Sequence, residues 1–188
     1  MLRYIAVATL LLLVGAPRLL AADDQSPEAV AKAAMDSMRE GKIAEFAGLM
    51  HPDALQALKD MLLPVIDAAA RDNDRDLQKL FGDKDYEQIK AMTPREFFIT
   101  FMRSVLNLRP EVQEILKNSK WEFLGHVKEG DDTVHIVVRY KADYLGASIT
   151  KLEVLSARRH EGAWRLLLTG DVQNMASALK QRYKGGKL

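Results

Sequence analysis

The sequence predicts an α+β domain in which amino-terminal helices pack on a curved antiparallel sheet of four or more strands. Between residues 26 and 117 the apolar residues recur every three or four positions, which is the spacing of one helix face. From residue 121 onward apolar and polar residues alternate, as they do in half-buried strands. Turn residues divide this second half into segments of the length expected for hairpins.

Residues 1–22 have the order of a secretory signal peptide. Arg3 supplies a positive charge, an uncharged run covers residues 4–16, and small residues precede the expected cleavage after Ala21 or Ala22. The apolar run is shorter than the roughly 20 residues that span a bilayer, so a retained anchor is the less favoured alternative. We expect an exported protein, periplasmic rather than secreted, with one domain over residues 23–184 and a disordered tail over residues 185–188.

The composition and the absence of known motifs argue against several classes of function. The absence of cysteine excludes a disulfide framework and a lipid-anchored lipoprotein. Loss of the signal leaves 188 − 22 = 166 residues and 27 − 2 = 25 basic side chains against 26 acidic ones, a balance unlike that of nucleic-acid binders. No glycine-rich phosphate loop, Gly-x-Ser-x-Gly elbow or His-Glu-x-x-His motif occurs. We therefore assign no catalytic residue, cofactor or nucleic-acid partner, and no transmembrane segment to the mature chain.

The first helices are marked by their caps and apolar stripes. Ser26-Pro27-Glu28 is a helix start, and the helix ends at Gly41. A short helix over residues 43–50 follows, and His51-Pro52 opens a third helix, which Pro64 is expected to kink or split near Leu63. Short helical turns are expected over residues 76–81 and 86–92.

The clearest local signal is the capping box Thr93-Pro94-Arg95-Glu96. The helix behind it carries three phenylalanines on two turns, and this aromatic density predicts the main core helix. One more short helix is expected over residues 110–117.

Four strands are predicted over residues 121–128, 133–143, 148–159 and 164–169, followed by a helix from Gly170 to about Tyr183. A two-residue Gly130-Asp131 loop in the first hairpin would set His126 opposite His135. It would also set Glu122 opposite Arg139. Both histidines then share a partly solvated outer face, where they are weak candidates for a metal site because a third ligand is lacking.

The second hairpin is predicted to turn through three residues, His160-Glu161-Gly162. This loop pairs Arg159 with Ala163 and lets Arg158 lie on the ring of Trp164. A two-residue loop would instead oppose Arg158 to Arg165, a like-charge pair that costs stability.

Two segments resemble the nuclear transport factor 2-like superfamily of cone-shaped α+β domains. They are Gly41-Lys42-Ile43-Ala44-Glu45-Phe46-Ala47-Gly48-Leu49-Met50-His51-Pro52 and Gly162-Ala163-Trp164-Arg165-Leu166-Leu167-Leu168. The helical region from 53 to 117 is longer than in a minimal member. The resemblance implies a sheet that curls around a helix and encloses an apolar hollow, and it implies no particular reaction.

We expect this hollow to bind a small apolar molecule, a lipid tail or a partner protein. The residues expected to line it are Phe97, Phe101, Tyr140, Leu152 and Trp164.

Two alternatives stay open. Arg95-Glu96-Phe97-Phe98 and the late tryptophan strand also resemble the periplasmic phospholipid-carrier family, which implies a lipid carrier. Enzymes of the cone superfamily, such as the isomerase-like and cyclase-like members, place an acid or a histidine inside the cone. The candidate acids here are Asp143, Glu153 and Asp171.

Overall fold

The computed structural model of the protein describes residues 26–72, 74–144 and 147–184. The predicted signal peptide and tail lie outside these ranges. The described helices are α1 (Pro27–Arg39), α2 (Ile43–Gly48), α3 (Pro52–Asp72), α4 (Arg75–Lys79), α5 (Tyr86–Ala91), α6 (Pro94–Leu108), α7 (Pro110–Asn118) and α8 (Gly170–Lys184). The described strands are β1 (Lys120–Glu129), β2 (Thr133–Tyr144), β3 (Ala147–His160) and β4 (Ala163–Leu166).

The strands form one open sheet in the order β1-β2-β3-β4, and each neighbouring pair is antiparallel. This confirms the predicted α+β class and the antiparallel sheet, which has four strands. Within the described ranges, no helix has the length and apolar character needed to cross a membrane.

One face of the sheet, the inner face, is buried beneath the helices. Val134, Ile136 and Val138 of β2 are fully inaccessible, and Leu155 and Ala157 of β3 lie opposite two of them. These side chains belong to the same apolar cluster as residues of α1, α3 and α6. The opposite, outer face is open to solvent over β1 and β3, which is the usual arrangement of an antiparallel sheet with helices on one side.

Helix α6 is the main core helix, as its phenylalanines predict. Its capping box is formed: the Glu96 N–H donates to Thr93 Oγ1 at 3.3 Å, and the Thr93 N–H donates to Glu96 Oε2 at 2.9 Å. Phe97 and Phe101, one turn apart, both pack on Phe81, with ring centroids 4.7 and 5.7 Å away. The helix therefore places one aromatic stripe in the core between α6 and the α4–α5 region.

Helix α3 runs unbroken through Pro64, so the expected split is wrong. Proline removes one N–H and thus leaves the carbonyl four residues earlier, on Asp60, without its helical donor. Both Pro64 and Asp60 are exposed, so water can satisfy that carbonyl and the helix continues.

The start of α3 depends on a histidine. The ring of His51 is buried, and its Nδ1 accepts the Asp53 N–H at 3.1 Å, as an N-cap side chain does. Its main-chain N–H donates to the Leu166 carbonyl at 2.8 Å, which joins the segment before α3 to β4. Burial lowers the pKa of His51. Arg158, His160 and Arg165 lower it further, while Asp53 opposes the change.

A β-bulge between Phe123 and Gly125 changes the predicted first hairpin. The turn has three residues, so that Glu129 pairs with Thr133, and His126 lies opposite Ile136. The prediction that His126 faces His135 is wrong. The bulge absorbs the extra residue, so the predicted pairing of Glu122 with Arg139 is confirmed further along the strand.

Because neighbours along a strand alternate between faces, this shift separates the two histidines. His126 lies on the inner face with Ile136, whereas His135 lies on the outer face. The predicted two-residue loop would have placed Val127 on the inner face opposite Val134, but Val127 lies on the outer face and is 62 % exposed.

The second hairpin has a two-residue turn, so its predicted three-residue loop is also wrong. Glu161 and Gly162 have φ values of 50° and 83°, as a type I′ turn requires. Arg158 therefore faces Arg165, and it is Arg159 that lies over the Trp164 ring, 4.7 Å from its centroid.

Burial of Leu166 explains the shorter turn. The observed register places Leu166 opposite the inner-face residue Ala157, and Leu166 is only 4 % exposed. A three-residue loop would have turned this leucine to the outer face. Burying a leucine is worth about 1.5–3 kcal/mol, more than one cross-strand like-charge pair costs.

The bulge predicts a specific backbone requirement. Gly125 has a φ of 152°, and a Cβ added there meets no atom within 4 Å, so only the backbone conformation opposes a side chain. We expect Gly125→Ala to reduce the free energy of unfolding by about 1–3 kcal/mol. Gly170→Ala, at an equally open position without a positive φ, should change it by less than about 0.5 kcal/mol. Equal effects in urea unfolding would contradict the bulge.

The buried cap predicts a pH dependence of stability. Since the folded pKa of His51 is below its unfolded value, its contribution is complete above about pH 6.5 and is lost as the pH falls below that value. We expect His51→Asn, which keeps a capping acceptor, to remove this part of the pH dependence. His51→Ala should cost about 1–2 kcal/mol at pH 7.5. Urea unfolding between pH 5 and 8 measures both. An unchanged slope in His51→Asn would refute the assignment.

Candidate functional site

An apolar cavity of about 330 Å³ lies between the helices and the inner face of the sheet. Helix α6 forms one wall through a stripe next to its Phe97–Phe101 stripe. The residues of this wall are Phe98, Met102, Val105 and Leu106. The facing wall comes from the sheet, through Trp121, Leu155 and Leu166, and from the segment that leads into α8.

Four methionines from three parts of the chain line this cavity. Met35 and Met38 are one turn apart on α1, Met50 lies beside β4, and Met102 is on α6. Methionine is unbranched and polarisable, so it adapts to irregular apolar shapes more readily than leucine or valine. The lining is therefore deformable on the helical side and firmer on the sheet side.

The polar side chains among the described lining residues are Glu153 and Thr169. Glu153 lies on the inner face of β3 opposite Val138, and its carboxylate forms an ion pair with Lys151 on the same strand. Lys151 in turn lies opposite Tyr140, whose ring packs against Trp121 with centroids 4.7 Å apart. Burial raises the pKa of Tyr140; Lys151 counteracts this and Glu153 adds to it. A short row of polar groups on β2 and β3 thus adjoins the cavity at Glu153.

Helix α1, which supplies two of the methionines, is anchored to the sheet at its amino end. The carboxylate of Glu28 contacts His126 Nδ1 on β1, a contact that exists because the bulge turns His126 inward. Burial alone would raise the pKa of Glu28. Hydrogen bonds from its own backbone, from Ser26 and from His126 outweigh burial, so the pKa lies below its usual value.

None of the five residues predicted to bind a ligand is among the described lining of this cavity. Phe97 and Phe101 are in the core against Phe81. Leu152 is 63 % exposed on the outer face, and Trp164 packs under Arg159. Tyr140 comes nearest, because its ring neighbour Trp121 lines the cavity. A ligand role for these five residues stays a prediction.

The sequence pattern contained a signal for the actual lining. Met35 and Met38 are three residues apart, and Phe98, Met102 and Val105 follow the spacing of one helix stripe. The neighbouring Phe97–Phe101 stripe has the same periodicity, so spacing alone does not show which stripe faces the cavity.

The two histidines of the first hairpin have separate partners. His135 Nδ1 is 2.9 Å from Ser156 Oγ, and its Nε2 is 2.7 Å from Glu129 Oε2. His126 contacts Glu28 on the other side of the sheet. The two rings therefore cannot share one metal ion, and no group of three or more metal-ligating side chains occurs among the described residues. Each ring has a carboxylate neighbour, Glu28 for His126 and Glu129 for His135.

The remaining candidate acids are placed as follows. Asp143 is exposed and accepts a hydrogen bond from the Ser148 hydroxyl. The side chain of Asp171 lies outside the described part of the structure. Among the described candidate acids, Glu153 is thus the one that reaches the cavity.

Comparison of the chain with protein-family models, with curated proteins and with solved structures gave no match. The geometry of the cavity is therefore the basis for assigning a function.

The anchor of α1 predicts a pH-dependent contribution to stability. The pKa of Glu28 is lowered, so its stabilising contribution is present above the unfolded value of 4.5 and is lost as the pH falls below it. We expect Glu28→Gln to lower the free energy of unfolding by about 0.2–1 kcal/mol at pH 7, and by less at pH 3.5. Glu114→Gln, which removes the same charge from an exposed position on α7, is the control. A difference between wild type and Glu28→Gln that is the same at both pH values would contradict this role.

Proposed function

We propose that this protein is a non-catalytic binding protein that holds one small apolar molecule in the cavity between α1, α6, α7 and the sheet. The observation that carries the proposal is the cavity itself, which has about 330 Å³ of space and an almost wholly apolar lining. Well-packed protein interiors leave few voids larger than a water molecule, so a space of this size is an exception. It falls at the small end of the roughly 300–1,000 Å³ typical of ligand pockets.

The size of the cavity favours a compact ligand over a complete phospholipid. A single short acyl chain, a terpenoid or a small aromatic compound suits a space near the lower limit for ligand pockets. The lipid-carrier alternative is therefore confined to a ligand with one chain. A protein partner could insert only an apolar side chain or two, so the cavity favours a small molecule over a partner protein.

The residues that line the cavity suit a ligand that is mostly apolar and carries one polar group. Four methionines give an adaptable surface, which suits a class of related apolar molecules more than one exact shape. Glu153 and Thr169 provide a polar spot for a hydroxyl or amine of the ligand.

The proposal also includes the cellular location of the protein and its superfamily. The signal-like residues 1–22 support export, with the periplasm favoured over secretion. Membership of the nuclear transport factor 2-like superfamily is supported by one feature. The two segments that resemble it are hydrogen-bonded to each other, since the Leu166 N–H donates to the Leu49 carbonyl at 2.9 Å.

An isomerase- or cyclase-type enzyme is the second candidate, and the position of Glu153 is what favours it. A carboxylate at an apolar cavity is the arrangement that such chemistry uses. The Glu153 carboxylate is already engaged in an ion pair with Lys151, so we place binding first.

Binding can be tested with N-phenyl-1-naphthylamine, an uncharged apolar fluorophore whose emission rises in apolar surroundings. We expect saturable binding to the wild-type protein. Met102→Trp fills the cavity from α6 and should weaken binding at least tenfold, or about 1.4 kcal/mol. Leu108→Trp adds the same side chain to the same helix at an exposed position outside the described lining, and should change binding less than twofold.

Equal binding by the wild type and Met102→Trp would refute the cavity as the site. Native mass spectrometry of gently purified protein adds a second readout. A retained small apolar molecule supports the proposal, whereas a retained two-chain phospholipid would favour a carrier of a different geometry.

A further inference from the structure

Two arginines face each other on the outer side of the sheet, away from the cavity. Arg158 of β3 and Arg165 of β4 are direct cross-strand partners, and the next residue in the same row is Thr133 of β2. Side chains in this relation have Cβ atoms roughly 5 Å apart, and like charges there destabilise the pairing. The register that buries Leu166 imposes this repulsion, and a bound anion would relieve it.

The two guanidinium groups have few acceptors. Asp53 Oδ2 is 3.5 Å from Arg158 Nη2, and the Asp53 side chain is 69 % exposed. Arg158 Nε is enclosed by protein and has no hydrogen-bond partner. Arg165 donates through Nη1 to the Trp164 carbonyl at 3.3 Å, and no carboxylate of the described residues forms an ion pair with it. Each guanidinium group has five N–H donors, but among the described residues the acceptors of the two groups together are one carboxylate and one carbonyl.

One histidine and two further acids, Glu161 and Asp132, surround this pair. His160 lies at the same corner, with its ring centroid 5.2 Å from that of His51. Its Nε2 is 4.0 Å from a carboxylate oxygen of Glu161, whose side chain is 87 % exposed. Asp132, in the turn of the first hairpin, accepts a hydrogen bond from the Thr133 hydroxyl at 3.0 Å. Neither Glu161 nor Asp132 forms a described ion pair with Arg158 or Arg165.

We propose that Arg158 and Arg165 together bind a phosphate group at the corner formed by β3, β4 and the start of α3, where Asp53 is the internal anion that the ligand displaces. The planar guanidinium fork bonds two oxygens of an oxyanion at once. A phosphate has enough oxygens to engage both forks, whereas a carboxylate fills only one. The site is independent of the apolar cavity, because it lies on the other face of the sheet.

Titration with inorganic phosphate at constant ionic strength and pH 7.5 tests the site. The arginine Nε–Hε resonances of ¹⁵N-labelled wild-type protein report binding directly. We expect saturable shifts of the Arg158 and Arg165 signals, and at least tenfold weaker binding of acetate. Glycerol 3-phosphate, titrated in parallel, distinguishes a phosphate ester from free phosphate as the preferred source.

Three variants separate a built site from general charge attraction. Arg165→Gln should weaken phosphate binding at least tenfold. Arg159→Gln is the control. Arg159 follows Arg158 in β3 and lies on the opposite face of the sheet, so the loss of its charge should change phosphate binding less than twofold. Asp53→Asn keeps both arginines and should strengthen binding severalfold, because it removes the competing carboxylate.

Equal losses in Arg165→Gln and Arg159→Gln, non-saturable shifts, or acetate binding as tight as phosphate binding would each overturn the proposal. So would unchanged or weaker binding in Asp53→Asn, which remains informative even if Arg165→Gln fails to fold.

Discussion

Burial of the inner face of the sheet against the helical layer is the constraint on which the rest of the structure depends. The three consecutive inner residues of β2, Val134, Ile136 and Val138, are completely inaccessible, and apolar burial is the main favourable term in folding. The helices supply the cover, but they do not fill the space completely.

Helix α6 shows how a core and a cavity come from the same element. Its Phe97 and Phe101 close the core against Phe81, while Phe98 and Met102 on the adjoining stripe face the empty space. A helix with apolar residues over more than one stripe can serve two neighbours at once. The core stripe holds α6 in place, so the stripe that faces the cavity is not needed to fill the core.

The pairing register of the strands decides which side chains lie on each face of the sheet. Strand residues alternate between faces, so one additional residue in a turn or a bulge moves a side chain from one side of the sheet to the other. The bulge at Gly125 places His126 beside Glu28 of α1, and α1 is one of the helices that line the cavity. The two-residue turn at Gly162 places Arg158 against Arg165 on the outer face.

The fold class, the four strands and the capping box of α6 could be predicted from the sequence because they depend on local periodicity and local hydrogen bonds. The loop lengths of both hairpins could not. They are settled by partners distant in sequence: Glu28 for His126, and the Met50 segment for Leu166. A hollow between helix and sheet was predictable, whereas its lining was not, since α6 has two apolar stripes and periodicity alone does not rank them.

The most direct test of the central claim uses the methionines as reporters. In protein labelled with ¹³C at the methionine methyl groups, addition of a saturating apolar ligand should shift the resonances of the four cavity methionines, Met35, Met38, Met50 and Met102. Those of Met61 and Met92, which pack against the core outside the described lining, should stay in place. Unmoved cavity methyls at saturation, or equal shifts of Met61 and Met92, would contradict the account.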